Sequence, residues 1–135
     1  MPMKTISTAS VVSTDVHYLH HVHVGRFLLD TDEHQALGGG DKAPGPFDYY
    51  LASLSACTAI TLRMYAERKG WDLGEFRAEL TLSFDDERKV HVHRVLRSDR
   101  PLSDEQWQRL LEIVANTPVT RAMREGAVIT SARGS

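Results

Sequence analysis

The chain of 135 residues contains one cysteine, Cys57. A lone thiol excludes an intrachain disulfide framework and any multi-cysteine zinc site. It leaves only chemistry that one sulfur can start. No stretch approaches the ~20 apolar residues of a membrane span. The opening Met-Pro-Met-Lys-Thr-Ile has no continuous apolar run, so it is a poor secretory signal. Neither sign of charge is in excess: 16 Lys and Arg face 18 Asp and Glu, a formal net charge of -2. No basic surplus is available to grip nucleic acid or an anionic membrane. No repeat of solenoid length is visible. An unpaired cysteine suits a reducing compartment, so the expectation is a cytoplasmic protein. The length gives one domain, 1–135. With 41% hydrophobic and 25% charged residues, the chain is neither disordered nor a coiled coil.

What is present is a clear alternation of periods. Residues 6–12 and 16–29 are rich in β-branched residues and His. Side chains alternate across a strand, so Val16, Tyr18, His20, Val22 and Val24 share one face. His17, Leu19, His21 and His23 take the other. Gly25 marks a turn before Arg26 to Leu29. Thr31 to Pro46 is the one long irregular stretch, crowded with Gly38, Gly39, Gly40, Pro44, Gly45 and Pro46. It lacks the Gly-Lys-Ser/Thr ending of a phosphate loop.

Phe47 to Lys69 reads as the main helix, with Pro46 suited to its first turn and Gly70 to its exit. Phe47, Tyr50, Leu51, Leu54, Thr58, Thr61, Leu62 and Tyr65 cluster on one side, with Cys57 and Met64 at the border. Ala52, Ser53, Ser55, Ala56 and Ala59 would let a partner helix come close. This helix is expected to be largely buried. Two alternating runs, 76–84 and 89–97, flank a polar turn and make a hairpin. Ser103 and Gln106 form a capping-box signature for a helix reaching about Ala115. Thr117-Pro118 opens a short helix through Arg124. Ala127 to Ala132 reads as a last strand. The order predicts an α+β fold with an antiparallel sheet on one side of a buried helix.

Four candidates carry chemistry, each beside a plain structural reading. Cys57 is either a core residue or a nucleophile activated by a nearby cation. Arg26, Arg63, Arg68 and Arg121 are candidate cations, although Arg63 points to the far side of an ideal helix. His21 with His23, and His91 with His93, share strand faces. If those strands were neighbours, four imidazoles could converge on Zn²⁺ or Cu²⁺; otherwise they form a solvated face. Asp48 suits the positive end of the helix dipole. Catalysis with Cys57 would need a bent helix start or a second subunit, because nine residues of ideal helix place them ~13 Å apart axially. Thr117 is accounted for as an N-cap.

Two segments together carry a resemblance. One is Gly38 to Pro46 leading into Phe47-Asp48-Tyr49-Tyr50-Leu51-Ala52-Ser53-Leu54-Ser55-Ala56-Cys57-Thr58-Ala59-Ile60-Thr61-Leu62. The other is Leu102 to Glu105 with Val114-Ala115-Asn116-Thr117-Pro118-Val119-Thr120-Arg121. They resemble the OsmC/Ohr family of osmotically inducible and organic hydroperoxide resistance proteins, over about residues 26 to 132. The resemblance implies an OsmC-like fold: an intertwined homodimer with antiparallel sheets wrapped around long central helices. It implies a thiol peroxidase acting on small organic hydroperoxides, with Cys57 as peroxidatic cysteine, Arg26 as its cation and Asp48 as its acidic partner. No metal or other cofactor is expected. The family's resolving cysteine falls at Thr117, where a hydroxyl cannot form a disulfide. The cycle then needs an external thiol reductant. Otherwise activity is lost, and the fold binds a small apolar ligand near Tyr50, Leu54 and Met64.

Overall fold

The computed structural model describes residues 3–134. The chain divides into two compact units, Met1–Tyr50 and Leu51–Ser135.

In the first unit, strands β1 (Ala9–Ser13), β2 (His20–Val24) and β3 (Phe27–Thr31) form an antiparallel sheet in the order β1-β2-β3. Gly25, at φ 58°, and Arg26 close the tight turn between Val24 and Phe27, which are paired. Positive φ is what such two-residue turns require. Val16 to Leu19 is a turn, not the start of β2: the Leu19 N–H donates to the Val16 carbonyl at 2.8 Å. The irregular stretch is tightly organised. The Asp32 carboxylate is buried and accepts from the Glu33 N–H at 2.7 Å and the Lys42 N–H at 3.0 Å. Those bonds, Lys42 first, hold Asp32 below the usual carboxylate range. A Cβ on Gly39 would meet the Glu33 carbonyl oxygen at 1.9 Å, so only glycine fits there.

Helix α1 (Pro46–Lys69) begins in the first unit and runs through the second. The second unit adds strands β4 (Phe76–Phe84) and β5 (Val90–Ser98), helix α2 (Asp104–Val114) and helix α3 (Pro118–Glu125). β4 and β5 pair antiparallel from Phe76↔Ser98 to Phe84↔Val90. The Asp85 carboxylate ties the turn by accepting from the Glu87 and Lys89 N–H groups, both at 2.9 Å. The expected capping box is present: Ser103 Oγ accepts from the Gln106 N–H at 3.1 Å, and Gln106 Oε1 accepts from the Ser103 N–H at 2.8 Å. Leu62, Ala66, Leu73, Leu110 and Val114 form the core of this unit, with Tyr65, Phe76, Leu96 and Trp107 packed against it.

The architecture is therefore α+β, with antiparallel sheets and three helices. Two further expectations are corrected. Residues 127–132 form no strand. Their alternation supplies β propensity, but among the described residues no strand pairs with them, and an unpaired strand leaves its backbone groups to water. Val128 is 97% exposed. Second, α1 is not largely buried within its own chain. It buries one stripe, Leu54, Thr58, Leu62 and Ala66. Its small-residue face is open at Ala52, Ser53 and Ala56, as are Ile60 and Met64.

Candidate functional site

The sulfur of Cys57 is half-buried on α1, one residue from the fully buried Thr58. Sγ lies 3.8 Å from Thr61 Oγ1, one turn along. Two groups at the start of α3, the Val119 N–H and the Thr117 hydroxyl, also bear on the thiol. The local sequence explains both. Thr117 is the N-cap, with φ -64° and ψ 158°, and its Oγ1 accepts from the Thr120 N–H at 3.4 Å. Pro118 at the first helical position has no N–H. The Val119 N–H is then the free first-turn donor, and the positive end of the helix directs it at the sulfur.

Arg94 supplies the charge. It sits on β5 between Val92 and Leu96, at an inward position of an otherwise apolar face. Nη1 donates to Thr58 Oγ1 and to Thr120 Oγ1, both at 2.9 Å, and Nη2 donates to the Val114 carbonyl at 2.9 Å. Among the described residues no carboxylate ion-pairs with it. Burial pulls its pKa down, and the Cys57 thiolate pushes it up. For Cys57, burial alone pushes the thiol up. The Val119 N–H, the Thr117 and Thr61 hydroxyls and the Arg94 charge outweigh it, and the thiol lies below its ordinary value. Such a sulfur reaches its nucleophilic anionic form more readily than a free cysteine.

Sequence reasoning named Cys57, and named Thr117 as a cap at the position of the family's resolving cysteine, but it missed Arg94. The signal was the period of two: residue 94 shares a face with Val92 and Leu96, and an arginine at an inward position needs a reason. Three of the four candidate cations, Arg63, Arg121 and Arg26, have other contacts. Arg63 donates to the Gly74 carbonyl at 2.7 Å, and Arg121 lies 3.9 Å from Glu125. Arg26, in the β2–β3 turn, holds its guanidinium 5.0 Å over the Phe27 ring.

Asp48, in the first unit, works at the start of α1. Its Oδ2 accepts from the Gly45 N–H at 2.8 Å and meets His34 Nε2 at 2.9 Å. His34 Nδ1 meets Asp41 at 3.1 Å. Tyr50 packs edge-on against Phe47 with ring centroids 6.0 Å apart. Leu54 is only 5% exposed. Met64 borders a pocket of ≈ 480 Å³ with Ala59, Ile60, Arg63, Glu67 and Phe76.

The premise of the metal reading is not met. β2 pairs with β1 and β3, whereas β5 pairs with β4. His21 binds Asp30 and His91 binds Asp85, each at 2.7 Å. Among the described residues no group of three or more His, Cys, Asp or Glu is placed to hold a metal ion.

The family model of OsmC-like proteins matches residues 39–132, the span that contains Cys57, Arg94 and Thr117. The chain belongs to the OsmC family. No curated protein sequence matches it significantly. Solved structures of similar fold include an OsmC-like protein of Mycoplasma pneumoniae, at 17% identity and TM-score 0.71, covering 90% of this chain and 89% of that one. An organic hydroperoxide resistance protein OsmC of Legionella pneumophila has 20% identity and TM-score 0.67, covering 91% and 92%. The organic hydroperoxide resistance protein OhrB of Bacillus subtilis has 19% identity and TM-score 0.64, covering 89% and 91%. Among the described residues no helix of this OsmC-family chain is long and apolar enough to cross a membrane.

Proposed function

We propose that this OsmC-family chain is a thiol-dependent peroxidase that reduces organic hydroperoxides through Cys57. The observation that carries the proposal is the anion-stabilising setting of the sulfur: the Val119 N–H, the Thr117 hydroxyl and the Arg94 charge. The Cys57 thiolate attacks the outer oxygen of the hydroperoxide. The O–O bond breaks, the alkoxide leaves and takes up a proton as an alcohol, and the sulfur becomes a sulfenic acid. With Thr117 in place of a second thiol, an external thiol condenses with the sulfenic acid. Water leaves and a mixed disulfide forms. A second external thiol attacks that disulfide, releases the oxidised reductant and returns Cys57 to the thiolate.

In this reading Arg26 and Asp48 take the roles that the family resemblance implies, cation and acidic partner, and the chain forms a homodimer whose central contact is the open small-residue face of α1. The exposed Ile60 and Met64 on that helix support such a contact. A reducing, cytoplasmic setting keeps Cys57 free. The test is hydroperoxide consumption by wild type and Cys57→Ser, with dithiothreitol or a lipoyl-type dithiol as donor. Consumption that depends on Cys57 supports the proposal, and equal rates in the two proteins refute it.

The second reading is a non-catalytic protein that binds a small apolar ligand, with Tyr50, Leu54 and Met64 as expected contacts. The pocket beside Met64 favours it. Of the three residues, Leu54 is largely taken up by burial in its own chain. Ligand-dependent stabilisation that persists in Cys57→Ser distinguishes this reading from the first.

A further inference from the structure

An ionised carboxylate accepts hydrogen bonds and donates none, and a neutral imidazole has one N–H to give. His34 meets a carboxylate at each ring nitrogen. Nδ1 lies 3.1 Å from Asp41 Oδ1, and Nε2 lies 2.9 Å from Asp48 Oδ2. Only the doubly protonated ring can make both bonds at once. A neutral ring keeps one and turns a lone pair on the other carboxylate. The arrangement is that of an imidazolium, and the Asp41 bond and the Asp48 charge raise the His34 pKa accordingly.

The two carboxylates belong to different parts of the first unit. Asp41 follows the run Gly38-Gly39-Gly40 at φ 54°, a left-handed conformation that a residue with a side chain adopts at a cost. Asp48 stands in the first turn of α1, where Oδ2 also accepts from the Gly45 N–H at 2.8 Å. Both bonds to Asp48 fall on one oxygen, so they orient the carboxylate and leave Oδ1 outside the pair. The other ties of the loop end on backbone groups: the Asp41 N–H donates to the Glu33 carbonyl and the Gly39 N–H to the His34 carbonyl, each at 3.1 Å. The remaining charged groups are Glu33, Asp32 and Lys42. Glu33 Oε1 accepts from the His34 N–H at 3.2 Å, and Asp32 is occupied by the Glu33 and Lys42 N–H groups. Lys42 is the one Lys or Arg between residues 32 and 45, and its charge acts on Asp32. Of all these ties, those of His34 alone have a proton that leaves near neutral pH.

We propose that His34 is a proton-operated positioning residue for Asp48: as an imidazolium it clamps the Asp48 carboxylate to Asp41 across the glycine loop, and on losing its ring proton to solvent it lets one of them go. Either release uncouples the orientation of Asp48 from the loop. The inference takes from the proposed function only the part given to Asp48, the acidic partner; the clamp itself is independent of it. An Asp48 so held is oriented below the folded His34 midpoint and loosened above it.

The experiment is an NMR titration of the full chain from about pH 5 to about pH 9. It follows the His34 ring, the Asp48 carboxyl carbon and the amides of Asp41 and Gly45, in wild type, His34→Gln and Asp41→Asn. In wild type all four signals should step at one midpoint above ~6.5. Exchange protection of the Asp41 amide, corrected for intrinsic rates, should fall about threefold across that step. His34→Gln should abolish the step at Asp48 and at both amides. Asp41→Asn should lower the midpoint of the ring. An Asp48 carbon or Asp41 amide that does not step with the ring overturns the inference, as does a step that persists in His34→Gln or a ring midpoint unmoved in Asp41→Asn. The wild-type titration decides alone if a variant fails to fold. Peroxide turnover is not read, so a chain without peroxidase activity refutes the proposed function and leaves the clamp testable.

Discussion

The side-chain oxygens of Thr117 and Thr120 lie 2.6 Å apart at the first turn of α3, and the Thr117 hydroxyl is among the groups that hold the Cys57 thiol below its ordinary value. Position 117 is where the family's resolving cysteine falls, and here it carries the wrong atom for a disulfide. Thr117→Cys should supply that atom. One equivalent of organic hydroperoxide should then consume both thiols, with closure of a disulfide that spares the external reductant. Intact mass and thiol counting, with and without peroxide, check this. Retention of one free thiol per chain after oxidation contradicts it.

The depressed Cys57 thiol makes a signed prediction. The folded protein holds the thiolate at a pH where an unfolded cysteine, titrating near ~8.5, is still protonated. Alkylation of native Cys57 should thus be half-maximal below that value. The thiolate's contribution to stability should be fully present above the unfolded value and lost as pH falls through the lower, folded one. The stability difference between wild type and Cys57→Ser, followed by urea unfolding across this window, should shrink on acidification. A difference that is flat with pH refutes it.

His34 makes the opposite prediction. Its pKa is raised, first by the bond to Asp41 and then by the Asp48 charge. A raised imidazole stabilises the folded state below its unfolded value of about 6.5, and the gain disappears as pH rises through the folded value. Wild type should exceed His34→Ala in stability by more at about pH 6 than at about pH 9. The backbone amides of residues 33–45 should also exchange faster at the higher pH, once corrected for intrinsic rates. The group is solvent-exposed, so the effect should be small and should weaken in salt.

Leu62 is fully buried in the core of the second unit. Leu62→Ala should cost ~2–5 kcal/mol, because the surrounding side chains cannot collapse fully into the space. Gly39→Ala should also destabilise, by at least ~1 kcal/mol, through a clash with the Glu33 backbone. Thermal or urea unfolding measures both. Their effects on alkylation of Cys57 should differ, since Gly39 lies in the other unit and Leu62 is on the same helix as the sulfur.

Much of the second unit could be read from local chemistry. Ser103 with Gln106, and Thr117 with Pro118, satisfy the orphan donors of their helices within a few residues, so their positions in sequence suffice. The β4–β5 hairpin alternates strictly, and the register follows from its polar turn. Residues 127–132 alternate too, but a strand also needs a partner, and that is a non-local condition. Arg94 shows the same limit at the site. Its position on an inward face was visible, whereas its three bonds to Thr58, Thr120 and Val114 span 36, 26 and 20 residues. No spacing rule reaches that far. Asp48 was legible as a residue of the first helical turn, while its bond to His34 required the intervening loop to fold back.

Thr117 caps α3 and is also among the groups that hold the Cys57 thiol below its ordinary value. One substitution there therefore reports on two properties at once, the stability of a helix and the acidity of a thiol on another.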